Sequence, residues 1–140
     1  MQITKQADYA VRAVLFLAAQ QEEKRSPTNR IALEEQIPPS FLAKIISQLS
    51  VAGVVNTSRG AHGGVSLARP AAEISLLEVV EAIDGPITLN DCVIDPDSCA
   101  FGGECPVHDI WVQAQVELVA RLETTRFDSL AKKYKQKSTN

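Results

Sequence analysis

Two helical patterns joined by a tight turn constrain the fold of this chain more than any other feature of its sequence. A short pattern runs from about Asn29 to Gln36, the chain turns at Ile37-Pro38, and a longer pattern runs from about Ser40 to Ala52. Apolar residues recur along the longer pattern at helical spacing, and Gly53 follows it as a stop signal. Two helices in this arrangement are typical of a helix-turn-helix unit.

One face of the second helix is polar and basic and is suited to reading DNA. This face carries Ser40, Ala43, Lys44 and Ser47. Short polar and basic side chains of this kind reach base edges and phosphates in the major groove. A helix face that only contacts solvent has a similar composition. The alternative to a DNA-binding unit is a helical hairpin that serves packing alone.

A glycine-rich hairpin is predicted directly after the helix-turn-helix. The β-rich segments Val54–Ser58 and Val65–Arg69 flank the run Arg59-Gly60-Ala61-His62-Gly63-Gly64, and the whole unit is then a winged helix. Arg59 suits the minor groove, whose negative potential attracts guanidinium groups. The candidate DNA contacts of this tip are Arg59, Gly60, His62 and Gly63. Turn geometry alone also accounts for the glycines.

Three cysteines are crowded into Asp91–Pro106, a segment without helical or strand periodicity. Six residues separate Cys92 from Cys99, five separate Cys99 from Cys105, and His108 follows three positions later. Because a reducing compartment disfavours disulfides, and because thiolates on one loop can wrap a soft metal centre, we expect an iron–sulfur cluster to order this loop. Zinc, which usually takes more closely spaced cysteines, and free buried thiols are the alternatives.

The remaining helical patterns complete a mainly α fold with a small β-hairpin. They cover Lys5–Ala19, a segment that starts with a capping box at Ser75, and a stretch from Val107 to about Thr125. The last of these carries a wider apolar surface than a small core can cover, which implies a partner chain. The basic end, Lys132–Asn140, is expected to be frayed.

Composition and charge restrict the class of function. The 140 residues suffice for one core, and no apolar run approaches the roughly 20 residues that cross a bilayer, so we expect a cytoplasmic protein without a membrane partner. Residues 1–70 hold eight Lys/Arg and five Asp/Glu (+3), whereas residues 71–140 hold six and twelve (−6), which gives the total of −3. The positive half contains the helix-turn-helix. We find no catalytic constellation, and we expect neither an enzyme nor a small-molecule substrate.

Taken together, these segments resemble the Rrf-type winged-helix regulators, a family that includes the iron–sulfur cluster regulator IscR, the nitric-oxide sensor NsrR and the iron-responsive RirA. The resemblance spans nearly the whole chain. It is carried by Ile3-Thr4 with Asp8–Ala13, by Lys44–Gly53, by Arg59–Val65, and by Cys92, Cys99 and Cys105.

The resemblance implies a homodimer that binds a double-stranded DNA operator and carries a [4Fe-4S] or [2Fe-2S] cluster. The long carboxy-terminal helices would cross, and the cluster loop of one subunit would lie near the first helix of the other. In IscR-like members a histidine three residues after the third cysteine completes the site, and His108 stands there. In NsrR-like members an aspartate from the first helix of the other subunit does so, and Asp8 stands there. Without a ligand role, His108 is an ordinary helix-start residue and Asp8 pairs with Arg12.

We therefore predict three regions: a winged helix-turn-helix at 1–88, a cluster-binding loop at 89–106, and a dimerisation helix with a tail at 107–140. The predicted function is transcription regulation, with the cluster sensing redox state, nitric oxide or iron and cluster supply. A metal-free regulator controlled by its thiols or by a partner is the first alternative. A cluster-bearing electron carrier is the second.

Overall fold

The computed structural model describes residues 2–20, 25–95 and 105–138. The described elements are α1 (Lys5–Ala19), α2 (Thr28–Glu34), α3 (Pro39–Val51), β1 (Val55–Ser58), β2 (Gly64–Leu67), a 3₁₀ turn (Ala71–Glu73), α4 (Leu76–Asp84), α5 (Asp91–Ile94), α6 (His108–Thr124) and α7 (Phe127–Ser138). The mainly α fold with a small hairpin is confirmed. Among the helices of the described residues, none combines the length and the hydropathy that crossing a bilayer requires.

The first helix forms the centre of the fold. The Thr4 hydroxyl caps it by accepting a hydrogen bond from the Ala7 backbone N–H at 3.1 Å. Small residues such as Ala10 and Ala13 are fully buried, which lets α1 pack closely against α3, α4 and α7. The bounds of α1 are those that the periodicity predicts.

The helix-turn-helix is present and lies within one or two residues of its predicted bounds. Glu35 caps the carboxyl end of α2, and Gln36 adopts a left-handed conformation with φ of 53°. Pro38 and Pro39 then begin α3, where a proline removes no helical hydrogen bond. The inward face of α3 is buried through Leu42, Ile45, Ile46 and Leu49.

The predicted hairpin is also present, and a third segment of chain extends it. Strands β1 and β2 pair in antiparallel register, with Val55 opposite Leu67 and Ser58 opposite Gly64. Ser26 pairs with Val65 through two backbone hydrogen bonds of 2.8 and 2.9 Å. The wing is therefore attached to the segment that leads into α2.

Helix α4 begins and ends where the sequence predicts. The Ser75 hydroxyl accepts a hydrogen bond from the Glu78 backbone N–H at 3.1 Å, and Gly85 at φ 80° ends the helix. The side chain of Glu78 forms an ion pair with Arg69, a contact that the local pattern of a capping box does not reveal. This ion pair ties the end of the wing to α4.

The structure differs from the sequence predictions at two places. The start of the expected loop Asp91–Pro106 forms the short helix α5. The expected frayed end instead forms α7, which continues to Ser138. Phe127 and Ala131 are buried, and α7 packs along α1, so tertiary contacts stabilise a helix whose own composition is largely polar.

Candidate nucleic-acid interface and cysteine site

The predicted DNA-reading face of α3 is exposed. Ser40, Ala43, Lys44 and Ser47 all lie at the surface, on the side of the helix opposite to its buried apolar residues. The arrangement follows from the helical period, because positions 40, 43, 44 and 47 recur at spacings of three and four. Helix α3 thus presents short polar side chains and one positive charge as a continuous strip.

The wing tip presents the other predicted contacts, and one of its glycines has a clear structural role. Arg59, Gly60 and His62 are exposed, whereas Gly63 is half-buried. A Cβ atom at Gly63 would lie 2.3 Å from the Ser58 carbonyl oxygen, so no other residue fits there without a change of the turn. An open cleft separates the tip from the start of α2, and its lining includes Thr28, Asn29 and Ser58.

Cys105 and His108 lie one turn apart at the start of α6. The Cys105 carbonyl oxygen accepts a hydrogen bond from the His108 backbone N–H at 3.2 Å, and both side chains are half-buried. Cys105 carries a free thiol. The imidazole Nδ1 of His108 is buried and has no hydrogen-bond partner among the residues that the structure describes. A buried nitrogen without a partner is unusual and calls for an explanation.

The structure does not describe the thiols of the other two candidate cysteine ligands. Cys99 lies outside the described residues, and so does the side chain of Cys92, whose backbone belongs to α5. Within ranges 2–20, 25–95 and 105–138, no three His, Cys, Asp or Glu residues are close enough to hold a metal ion. By donor type, three thiolates with an imidazole or a carboxylate suit an iron–sulfur cluster, and the unpaired Nδ1 of His108 fits that use.

Asp8 is exposed on α1 and forms the expected ion pair. Its Oδ2 lies 3.5 Å from Nε of Arg12, one helical turn further on. Arg12 also lies over the ring of Tyr9, 5.1 Å from its centroid, and its Nη1 donates a hydrogen bond to the Glu35 carbonyl oxygen at 3.1 Å. Asp8 therefore lies at one end of a set of contacts that reaches the helix-turn-helix.

Helix α6 leaves much of its apolar surface uncovered. Leu118 and Leu122 pack against Val80 and Ile87, but no residue of α6 is fully buried. The exposed fractions are 55% for Ile110, 39% for Trp111 and 61% for Val116. This pattern agrees with the prediction that the helix has more apolar surface than one chain can cover.

Two polar side chains, those of Gln115 on α6 and Tyr134 on α7, make contacts that were not predicted from the sequence. The Gln115 side chain accepts a hydrogen bond from the Leu89 N–H at 2.7 Å and donates one to the Ile87 carbonyl oxygen at 2.6 Å. The Tyr134 hydroxyl donates to Glu35 Oε1 at 2.5 Å. Gln115 carried a usable signal, because it is a polar residue at helical spacing from Trp111 and Leu118. Tyr134 and Glu35, 99 positions apart, carried none.

The Tyr134 hydroxyl is held in its protonated form. Burial and, second, the hydrogen bond to the Glu35 carboxylate raise the pKa of Tyr134 from 10.0 to about 12. The phenol is therefore a stable hydrogen-bond donor at every physiological pH.

Known proteins share this combination of a helix-turn-helix, a wing and a long terminal helix. The sequence profile of Rrf2, described as an iron-dependent transcriptional regulator, matches residues 3–133. The chain belongs to the Rrf2 family. As an Rrf2 protein it is a DNA-binding transcription regulator, and the prediction that it is not an enzyme is confirmed by this membership.

Two curated Rrf2 relatives are similar over most of the chain. The HTH-type transcriptional regulator NsrR of Geobacillus kaustophilus is 36% identical over 105 residues, which cover 75% of this chain and 68% of that protein. The HTH-type transcriptional regulator IscR of Xenorhabdus nematophila is 30% identical over 132 residues, covering 94% and 80%. The solved structure of CymR, the global cysteine regulator of B. subtilis, matches with a TM-score of 0.79 and 22% identity over 94% of this chain and 97% of its own.

Proposed function

We propose that this Rrf2 protein acts in the cytoplasm as a homodimer whose affinity for a DNA operator is controlled by an iron–sulfur cluster. The observation that carries the proposal is the buried Nδ1 of His108, which has no hydrogen-bond partner in the described part of the chain and belongs to a residue one turn from Cys105. A buried ring nitrogen without a hydrogen-bond partner costs free energy, and coordination of a metal would remove that cost. The similarity to an NsrR and an IscR protein supports the same use of the site.

For DNA binding, the exposed strip of α3 enters the major groove and the wing tip reaches the minor groove. Lys44 contacts phosphate or a base edge, and Ser40, Ala43 and Ser47 are small enough to allow close approach. Arg59 and His62 lie at the tip, where Gly60 has a positive φ and Gly63 leaves no room for a side chain. In a twofold dimer, the two α3 helices meet half-sites about 34 Å apart.

For dimerisation, the uncovered apolar side chains of α6 pack against those of a second copy. Ile110, Trp111 and Val116 are large, exposed and on one helix, and an isologous twofold contact is the commonest way to bury such a surface. The resemblance to the family implies that the first helix of one subunit then lies near the cysteine loop of the other.

For the cluster, Cys92, Cys99 and Cys105 would hold the irons, with either His108 or the partner subunit's Asp8 as the remaining ligand. When bound, an iron–sulfur cluster supplies redox chemistry and reactivity toward small molecules such as nitric oxide. The thiolates tie α5 to the start of α6, and Gln115 ties the segment before α5 to the middle of α6. Loss of the cluster would release the thiolate contacts and loosen the cysteine loop from α6. The spacing of the two winged helices in the dimer would then change.

The test is the metal content and DNA binding of protein purified without oxygen. We expect a brown protein that contains iron and acid-labile sulfide and binds a duplex selected from a random library by the wild-type chain. Chelation, or replacement of all three cysteines by serine, should change that affinity. A colourless, iron-free preparation, or serine variants that occupy the duplex normally, would overturn the proposal.

The fourth ligand is resolved by single substitutions in the same protein. The two residues are replaced separately, in the variants His108→Ala and Asp8→Ala. The visible spectrum should change in the variant that has lost the fourth ligand. Asp109→Asn is the matched control for both, because this exposed carboxylate lies beside His108 on α6. Spectra that match the wild type for both alanine variants would exclude both residues as ligands.

A metal-free regulator is the second candidate, and one observation favours it. The chain shares its fold with CymR, described as a global cysteine regulator. In this case the anaerobic protein is colourless and the serine variants still change DNA binding, because the thiols act directly. The same experiment therefore separates the two candidates.

A further inference from the structure

The carboxy-terminal helix reaches back to the turn of the helix-turn-helix through one side chain. The Tyr134 hydroxyl donates a hydrogen bond of 2.5 Å to Glu35 Oε1. Glu35 is only 8% exposed, although a carboxylate is rarely buried without a partner. A hydrogen bond to an ionised acceptor is among the stronger ones in proteins.

Glu35 lies at the point where the orientation of α3 is decided. It is the carboxy-terminal cap of α2, and Gln36, which follows it, has a φ of 53°, a conformation that is uncommon for a residue with a side chain. The Glu35 carbonyl oxygen accepts a hydrogen bond from Arg12 at 3.1 Å. Helix α1 thus holds the turn through a hydrogen bond to the Glu35 backbone, and α7 holds it through a hydrogen bond to the Glu35 side chain.

Helix α7 is itself firmly anchored at its start. The Leu76 N–H donates to the Thr125 carbonyl oxygen at 2.9 Å, and the Phe127 N–H donates to the Ile74 carbonyl oxygen at 3.2 Å. The Phe127 side chain is fully buried. Tyr134 follows two turns later, and α6 ends only three residues before Phe127. Helix α7 therefore connects the end of α6 to the core that supports the helix-turn-helix.

We infer that Tyr134 is a positioning residue for DNA binding: its hydrogen bond to Glu35 sets the helix-turn-helix turn, and through α7 it connects α6 to α3. The inference rests on the DNA binding of the family and is independent of the cluster. The raised pKa of Tyr134 supports it, because the donor proton stays in place at physiological pH.

The test compares Tyr134→Phe with the wild-type protein on two probes. One is a duplex of about three helical turns selected from a random library by the wild-type chain, and the other is an unrelated duplex of equal length. We expect the affinity for the selected duplex to fall by about 3- to 10-fold, the factor that corresponds to the net contribution of one ordinary hydrogen bond. The affinity for the unrelated duplex depends on phosphate contacts, so it should change by less than about twofold. A change of that size lies within ordinary experimental error.

Matched variants separate the hydrogen bond from general destabilisation. Tyr9→Phe removes the other tyrosine hydroxyl, which has no hydrogen bond within the described part of the chain, and should bind both probes normally. Glu35→Gln keeps an acceptor and should restore most of the affinity that Glu35→Leu loses. The double variant Tyr134→Phe/Glu35→Leu should bind no worse than Glu35→Leu.

A readout that needs no DNA completes the test. The Ile37 amide donates to the Ala32 carbonyl oxygen at 2.9 Å within the turn, and its hydrogen exchange should be faster in Tyr134→Phe than in Tyr9→Phe. Unchanged exchange together with unchanged affinity for the selected duplex would overturn the inference. An equal loss on both probes, or Glu35→Gln binding as weakly as Glu35→Leu, would overturn it as well.

Discussion

At the scale of single residues, the absence of a Cβ atom at Gly64 allows the wing to lie close to the segment that precedes α2. Gly64 has a φ of 154°, and a Cβ atom there would lie 2.6 Å from the Ser26 carbonyl oxygen. That oxygen accepts one of the two hydrogen bonds that attach the wing. The close approach and the attachment therefore depend on the same glycine.

We predict that Gly64→Ala lowers the free energy of unfolding by about 1–3 kcal/mol, because the added methyl group must displace backbone. Gly60→Ala is the matched control, since Gly60 also has a positive φ of 104° but open space around it. Urea unfolding of the two variants measures the difference. Equal losses would show that backbone conformation alone, and not the approach to Ser26, accounts for the cost.

Tyr134 gives the protein a predictable response to alkaline pH. Its pKa is raised from 10.0 to about 12 in the folded chain, so the stabilisation is fully present below pH 10 and is lost as the pH rises towards 12. The charged groups that contribute are Glu35 and Glu34, both acidic. The near-ultraviolet absorbance of phenolate, as the difference between wild type and Tyr134→Phe, should rise near pH 12. A midpoint at 10 in that difference would contradict the contact with Glu35.

At the scale of elements, Gln115 acts as a clamp between α6 and the segment that leads to the cysteines. Its amide group makes two hydrogen bonds, to the Leu89 N–H and to the Ile87 carbonyl oxygen, much as a neighbouring strand would. Both backbone groups lie outside the helices and strands. The clamp therefore satisfies groups that no regular element satisfies.

Replacement of Gln115 by Leu should destabilise the fold by about 1–3 kcal/mol, because both backbone groups lose their partner. Gln113→Leu is the control, since Gln113 is exposed on the same helix. Hydrogen exchange at the Leu89 amide should accelerate only in the Gln115 variant. Protection of that amide in both variants would mean that another group holds the segment.

The elements with strong local signals could be predicted from the sequence, whereas those held by distant contacts could not. Helix α1 has its predicted bounds because apolar periodicity and the Thr4 cap agree. The sequence predicts a frayed end at Lys132–Asn140 because this stretch is basic and polar, whereas α7 continues to Ser138. The support for α7 comes from the burial of Phe127 against segments far away in sequence. The exposure of the α3 strip followed from periodicity, but the Tyr134–Glu35 contact had no local signature.

At the scale of the whole molecule, the proposed dimer rests on the exposed apolar side chains of α6. Val116 is one of them, with an exposed fraction of 61%. A charge there would have to be buried in the proposed dimer, at a cost of several kcal/mol, as a rough estimate.

Val116→Asp should therefore raise the dimer dissociation constant by more than about tenfold. Leu33→Asp is the control, because Leu33 is 81% exposed and belongs to α2, not to α6. Sedimentation over a range of concentrations measures both variants. A Val116→Asp protein that remains as dimeric as the control would show that α6 is not the interface.

The burial of Phe127 also bears on the order of events during synthesis. Phe127 belongs to the same core as α1 and α3. Domains generally fold as units, and synthesis proceeds from the amino terminus. The winged helix formed by the preceding residues therefore cannot complete its packing until the ribosome has delivered Phe127.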